Sequence, residues 1–278
     1  MTRRVYLAVE GPHDVEFVGR LLRLDAGLER RRLKSEVDDY WVQARLIPEK
    51  YPFDKAGEDL LVRSPVPAFF EDETVSVAVH SAGGDTGLGR AVEETLATLR
   101  LLDLPLPDAI GVVLDADVTQ TPVERFDTLA AKVRELGLSV PGLPGKTAPG
   151  PPTTGVFVLP DNRAQGTLED ILLECARKNY PDMAREAEAL VASFSADRHL
   201  YSKDDLRDIL KPAGRTKASV ACVGSVLRPG KAIQVSIQDS RWVDPATRPL
   251  PRVKALAEFL SDLLGRAPPS SAVHSDIP

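Results

Sequence analysis

The chain has 278 residues and a mass of 30.2 kDa, a length that predicts about two domains, or one domain with a large appendage. Hydrophobic residues make up 43% against 27% charged, enough to fill a core, which excludes a collagen, a coiled-coil rod and a disulfide-stapled miniprotein. With 35 basic and 41 acidic side chains the net charge is −6, so bulk charge cannot coat a nucleic acid and a phosphate-bearing partner has to be met at a local site.

Val5 to Val9 is a short apolar run closed by Glu10-Gly11-Pro12, and Asp14 opens a helical spacing through Val15, Val18, Leu21 and Leu22. Asp25 to Glu73 follows, with the basic run Arg30-Arg31-Arg32-Leu33-Lys34 and the aromatics Tyr40, Trp41, Tyr51, Phe53, Phe69 and Phe70. It is too long for a simple loop and too aromatic for disorder, so an insertion packed on a sheet edge is expected over 25–73. Val75 to Val79 predicts a second strand, followed by a glycine-rich turn at Gly83-Gly84-Asp85 and a helix from Ala91 to Leu102. Ile110 to Leu114 predicts a third strand, Asp115 to Pro122 a loop, and Val123 to Leu136 a helix. Pro141 to Pro152 reads as a linker or mobile loop, Gly155 to Leu159 as a fourth strand, and Leu168 to about Lys178 as a helix after the turn Pro160 to Gly166. Alternating strands and helices predict an α/β fold with a parallel sheet covered on both faces. Beyond Pro181 the spacing is helical at Met183 to Phe194, Lys203 to Leu210, Lys217 to Leu227 and Val253 to Leu264. The expected organisation is a catalytic domain over 1–182, a helical C-terminal lobe over 183–264 that closes over the strand ends, and a frayed tail over 265–278.

Only Cys175 and Cys222 occur, which provides neither a disulfide framework nor a paired-cysteine metal set and makes the reducing cytoplasm the simplest compartment. The five uncharged residues between Arg4 and Glu10 are too few for a signal-peptide core, and no apolar stretch approaches about 18 residues. Neither export by that route nor a membrane span is expected.

In open parallel sheets, ligands sit beyond the carboxyl ends of the strands, and here those positions are acidic. Glu10 follows the first strand, Asp115 and Asp117 the third, and Glu169 with Asp170 the fourth after a short turn. If the chain stays extended through Asp115-Ala116-Asp117, both carboxylates point the same way. Crowded like charges need a proton or a cation between them, and a hard divalent ion takes carboxylate oxygens readily. Asp14 lies four residues after Glu10, across a loop whose Gly11 allows close approach, so the same cation could reach both. Acidic groups from three strand ends can hold one or two metals that clamp a phosphodiester and generate a hydroxide. Thr167 with Asp170 has capping-box spacing, which leaves Glu169 as the functional member of that pair.

Val9-Glu10-Gly11 with Asp14, followed by Leu114-Asp115-Ala116-Asp117, resembles the Toprim fold shared by topoisomerases, bacterial primases and OLD-family nucleases, over about residues 4–180. The resemblance implies that Glu10, Asp115 and Asp117 carry metal or proton transfer, that Asp14 and Glu169 join the ligands of Mg2+ or Mn2+, and that a lysine in the helical C-terminal part assists. Lys217 is the candidate, with Lys231 in reserve. With no ATPase domain expected ahead of the Toprim-like part, the chain looks most like the stand-alone prokaryotic Toprim-like proteins, which implies nucleic acid as substrate and a separately encoded ATPase as a partner. The implied activity is phosphodiester cleavage of DNA or RNA.

Other features carry weaker signals. Gly83-Gly84 could present N–H groups to phosphate at a helix start, and His13 and His80 stand in the same loops without a role of their own. Gly145-Lys146-Thr147 and Gly230-Lys231 lack the glycine spacing of a P-loop. The Arg30 to Lys34 run is better explained as a solvated charged face than as a grip on a polynucleotide. Two rival readings stay open. Asp115-Ala116-Asp117-Val118-Thr119 also resembles the haloacid-dehalogenase motif, in which the first aspartate attacks phosphorus, and a non-catalytic Toprim-like binding module would keep the fold without the chemistry.

Overall fold

The structure, a computed structural model, describes residues 2–48, 67–194 and 201–267. In chain order the elements are β1 (Arg3–Val9), α1 (Pro12–Asp25), β2 (Glu29–Arg30), α2 (Asp39–Gln43), β3 (Ala68–Glu71), β4 (Val75–Ser81), α3 (Gly87–Leu101), β5 (Ala109–Asp115), α4 (Pro122–Glu135), β6 (Lys146–Ala148), β7 (Thr153–Leu159), α5 (Leu168–Asn179), α6 (Pro181–Ala192), α7 (Lys203–Leu206), α8 (Gly214–Leu227), α9 (Ile233–Gln238) and α10 (Pro251–Leu264).

The strands form one sheet in the order β2-β3-β4-β1-β5-β7-β6. Its four central strands, β4, β1, β5 and β7, are parallel and correspond to the four apolar runs legible in the sequence. Such runs are apolar throughout because both faces are covered. Val5, Leu7 and Val9 of β1 pack with α1, α5 and α10 through Phe17, Leu172 and Phe259. Tyr6 and Ala8, pointing the opposite way, pack with α2, α3 and α4 through Trp41, Leu96 and Phe126.

The centre of the sheet is parallel as expected, and its edges are antiparallel. Phe69 and Phe70 of the insertion belong to β3, which returns beside β4 through a turn where the Asp72 carboxylate accepts from the Thr74 and Val75 N–H groups at 2.7 and 2.8 Å. Pro141 to Pro152, expected as a linker, contains β6, which pairs antiparallel with β7. A three-residue edge strand between prolines carries too little periodicity to stand out. The described residues of the 25–73 segment pack on the sheet through β2, β3 and Trp41. Its Tyr51 and Phe53, and the tail from residue 268, lie outside the described residues.

The C-terminal helices share an apolar cluster with the sheet. Val220, Val223, Leu256, Phe259 and Leu263 are buried beside Leu7, Phe157 and Leu172. This docking depends on Gly111, where a Cβ would stand 2.4 Å from Leu263 Cδ2 and 2.5 Å from Leu7 Cδ1. Gly111→Val is therefore expected to destabilise the fold by roughly 1–3 kcal/mol or more through overpacking, read as a lower urea midpoint; an unchanged midpoint would show that α10 can move off the sheet at no cost. Among the described residues, no helix is long and apolar enough to cross a membrane.

Candidate active site

β1 and β5 are neighbours in the sheet, so the residues that leave their carboxyl ends meet. The Asp115 N–H donates to Glu10 Oε1 at 2.9 Å, which fixes the glutamate across the strand ends. The turn after β7 returns α5 to the same place, and the Leu168 N–H donates to Asp115 Oδ1 at 2.9 Å. Asp14, in the first turn of α1, accepts from the Gly11 N–H at 2.9 Å. Glu169 accepts from the Thr167 hydroxyl at 2.8 Å. From the C-terminal half, the first turn of α8 contributes Lys217. Glu10, Asp14, Asp115, Glu169 and Lys217 line one open cleft of about 420 Å³, together with Gly83 and Gly84.

Each of the four carboxylates has one oxygen tied by these contacts. Among the described residues, Glu10 Oε2, Asp14 Oδ1 and Asp115 Oδ2 make no hydrogen bond or ion pair. The electrostatics reflect this crowding. Burial raises the Glu10 pKa despite the Asp115 N–H and the Arg125 charge. Asp14, only 8% exposed, is pushed up to about 7, first by burial and then by the charges of Glu10 and Glu169. Asp115 is driven well above the aspartate range by burial and by Asp14, Glu10 and Glu169. Glu169 differs: burial pushes it up, but His13, Lys217 and Thr167 outweigh burial and hold it below the usual range. His13 Nδ1 stands 3.9 Å from Glu169 Oε1, beyond hydrogen-bond length, so it acts as a nearby charge when protonated.

Asp117 does not join the cluster. After β5 the chain stays extended only as far as Ala116, whose N–H donates to the Leu159 carbonyl; Asp117 then adopts φ 64° and forms an isolated bridge with Gly166. Its exposed side chain accepts from the Val118 N–H at 2.7 Å instead of facing the cleft. The expectation that the two aspartates point together fails because it required an extended backbone through both. The glycine turn needs its residues, since Gly83 and Gly84 have φ 73° and 119°. The Gly84 N–H, however, donates to the Glu10 carbonyl at 2.8 Å, so of the expected pair of phosphate donors it is already engaged. Asp170 accepts from the Thr167 N–H at 2.8 Å and serves as the helix cap. His80 bonds the Tyr6 hydroxyl at 2.6 Å, outside the cleft.

Two participants lack a strong sequence signal. Buried Arg125, in the first turn of α4, donates from Nε to the Asp115 carbonyl at 3.0 Å and from Nη2 to Glu10 Oε1 at 3.3 Å, while its fork holds Asp85. It ties the ends of β1 and β5 to the glycine turn, but an arginine four residues into a helix looks like any solvated one. His13 lines the cleft, and only its position between Pro12 and Asp14 hinted at that. The basic run is largely internal at its start, with Arg30 on Glu16 at 2.6 Å and Arg31 on Glu71 at 3.4 Å.

Among the described residues, no three His, Cys, Asp or Glu side chains already stand grouped as the ligands of a metal ion. What fits a hard divalent cation is the donor chemistry: four carboxylates around one opening, with oxygens to spare.

Fold and cleft together define an α/β protein whose candidate site is the acidic carboxyl end of a parallel sheet. A family model described as "Protein of unknown function (DUF3226)" matches residues 4–265, and the chain belongs to that family. A solved structure, that of a hypothetical protein, PH0156, from Pyrococcus horikoshii OT3, is similar over 94% of this chain and 95% of that one, at 15% identity and a TM-score of 0.52. That likeness is one of fold. No curated protein matches. Neither the family nor the structural relative is described as a Toprim or OLD protein.

Proposed function

We propose that this protein is a divalent-metal-dependent phosphodiester hydrolase, a Toprim-like nuclease of the prokaryotic cytoplasm that acts on DNA or RNA. The observation that carries the reading is the convergence of Glu10, Asp14, Asp115 and Glu169, with Lys217, on one open cleft at the ends of parallel strands. These four carboxylates would hold Mg2+ or Mn2+. When bound, such an ion supplies charge neutralisation for a phosphate and a hydroxide at neutral pH.

The chain's own groups have distinct tasks. The Asp115 and Leu168 N–H groups fix one oxygen each of Glu10 and Asp115, which limits the freedom of both side chains and keeps their second oxygens for a ligand. Arg125 holds Glu10 in register with Asp115. Lys217, exposed at the mouth, meets the negative charge that develops on a phosphate oxygen. Glu169, held ionised by its neighbours, keeps a negative charge for a cation in the cleft. The free cysteines, Cys175 and Cys222, suit a reducing compartment. A separately encoded ATPase belongs to the proposal as a partner.

The haloacid-dehalogenase reading draws less support, because Asp117 turns away and leaves Asp115 without the second acid that chemistry uses. The test is incubation of purified protein with supercoiled plasmid and with labelled RNA in Mg2+ or Mn2+. Nicked or shortened product, suppressed by EDTA, is expected. If both polymers stay intact in every topology with either ion, the hydrolase reading fails and the non-catalytic module takes its place.

A further inference from the structure

A second cavity, of about 630 Å³, lies at the far end of α1 from the carboxylate cleft and is lined by Arg20, Arg23, Arg30 and Arg32, with Glu29 as the acid among its lining residues. In a chain of net charge −6, four guanidinium groups around one opening need an explanation. A single arginine in the last turn of a helix is accounted for by the helix dipole. Two of the four are already engaged, Arg30 by Glu16 and Arg32 by a partner of its own, and the adjacent pair Arg20 and Arg23 is what remains to be explained.

His13, Glu16, Arg20 and Arg23 are spaced three, four and three residues apart, which puts them on one face of α1. All four are half-exposed or exposed, whereas Val15, Phe17, Val18, Leu21 and Leu22 are buried. The acid of this face is already matched, since Glu16 pairs with Arg30 at 2.6 Å. Glu29 is likewise engaged by Arg31 at 3.4 Å. Among the described residues, Arg20 donates only from Nε, to the Val243 carbonyl at 2.9 Å, and its terminal nitrogens make no hydrogen bond there. Arg23 is exposed and has no ion pair or hydrogen bond among the described residues. Burial and the neighbouring Arg23 charge lower the Arg20 pKa and outweigh the opposing pull of Asp244 and Asp25. Guanidinium forks match phosphate oxygens in pairs.

We propose that the arginine cavity is a second nucleic-acid contact, which grips the phosphate backbone of a strand whose scissile bond lies in the carboxylate cleft. The inference rests on the hydrolase reading for the identity of its ligand. At about 1.5 Å per residue, the ten residues from His13 to Arg23 separate the two sites by about 15 Å. Along a stacked strand, at about 3.4 Å per nucleotide, this is a span of roughly four to five nucleotides. The substrate class is thus a polynucleotide, bound beyond the cleavage point, and not a small phosphate ester.

The test is fluorescence anisotropy of the full chain with labelled single-stranded DNA and RNA in EDTA, so that binding is read without cleavage. For a 12-nucleotide strand, Arg23→Glu is expected to weaken binding at least about fivefold at low salt and to lower the slope of log K against log salt by about one. Arg134→Glu, an equal charge change on exposed α4 across the sheet, is expected to change neither. With a trinucleotide, wild type and Arg23→Glu should bind alike. The double variant Arg20→Gln, Arg23→Gln should weaken binding further and guards against an effect of the new carboxylate. The proposal is overturned if wild type binds neither polymer, if Arg23→Glu behaves like Arg134→Glu, or if polyglutamate or anionic vesicles bind as tightly as the oligonucleotide. Arg23-dependent binding without cleavage in Mn2+ keeps this site and removes the hydrolase. Cleavage with Arg23-independent binding does the reverse.

Discussion

Asp115→Asn is expected to lower metal-dependent cleavage by about three orders of magnitude, equivalent to roughly 4 kcal/mol of transition-state stabilisation, while the fold stays intact. Asn keeps the shape of the side chain, and its amide oxygen can still accept from the Leu168 N–H that now bonds Asp115 Oδ1. What it loses is the negative charge at the centre of the cluster, which feels Asp14, Glu10 and Glu169 together. Initial rates of plasmid nicking, alongside circular dichroism spectra of both proteins, separate chemistry from folding. Activity within tenfold of wild type, with the spectra unchanged, would remove Asp115 from the proposed chemistry.

The same crowding predicts that the site costs the protein stability. A carboxyl whose folded-state pKa is raised favours the folded state below its unfolded pKa of about 3.9, and that contribution is lost as pH climbs through the folded value. For Asp14 that value is about 7, so the loss runs from about pH 4 to pH 7 and is complete near pH 8. A shift of this size corresponds to at most about 4 kcal/mol. Asp14→Asn removes the charge but keeps an oxygen for the Gly11 N–H. In EDTA, the variant is therefore expected to melt on the order of 5–10 °C above wild type at pH 8, and close to it at pH 4. Thermal melts across that range check the sign. A variant less stable than wild type at pH 8 would mean that the Asp14 carboxylate is stabilised where it sits, as a helix-capping charge, and not crowded.

Four central strands were legible because a strand covered on both faces is largely apolar, and Val5 to Val9, Val75 to Val79, Ile110 to Leu114 and Gly155 to Leu159 are such runs within Arg3–Val9, Val75–Ser81, Ala109–Asp115 and Thr153–Leu159. The rule that ligands gather at the carboxyl ends of parallel strands then singled out Glu10, Asp115 and Glu169, all of which line the cleft. Asp117 was misread because a single left-handed residue redirects its side chain, and Asp is among the residues that tolerate that conformation without announcing it. Edge strand β6 and short helix α9 escaped notice because three to six residues hold too little periodicity.

By itself, then, the order of amino acids determined the α/β class, the four central strands and the acidic character of their ends, since all three follow from local pattern and strand direction. Only the tertiary structure decided which acids share a cleft, that buried Arg125 ties Glu10 to the end of β5, that Lys217 of a distant helix reaches the opening, and that four arginines surround one cavity beyond α1. The reason is physical: neighbours in a strand are set by covalent spacing, whereas an electrostatic site is set by distances between segments up to two hundred residues apart, which arise only when the sheet and its helices bury their apolar faces together.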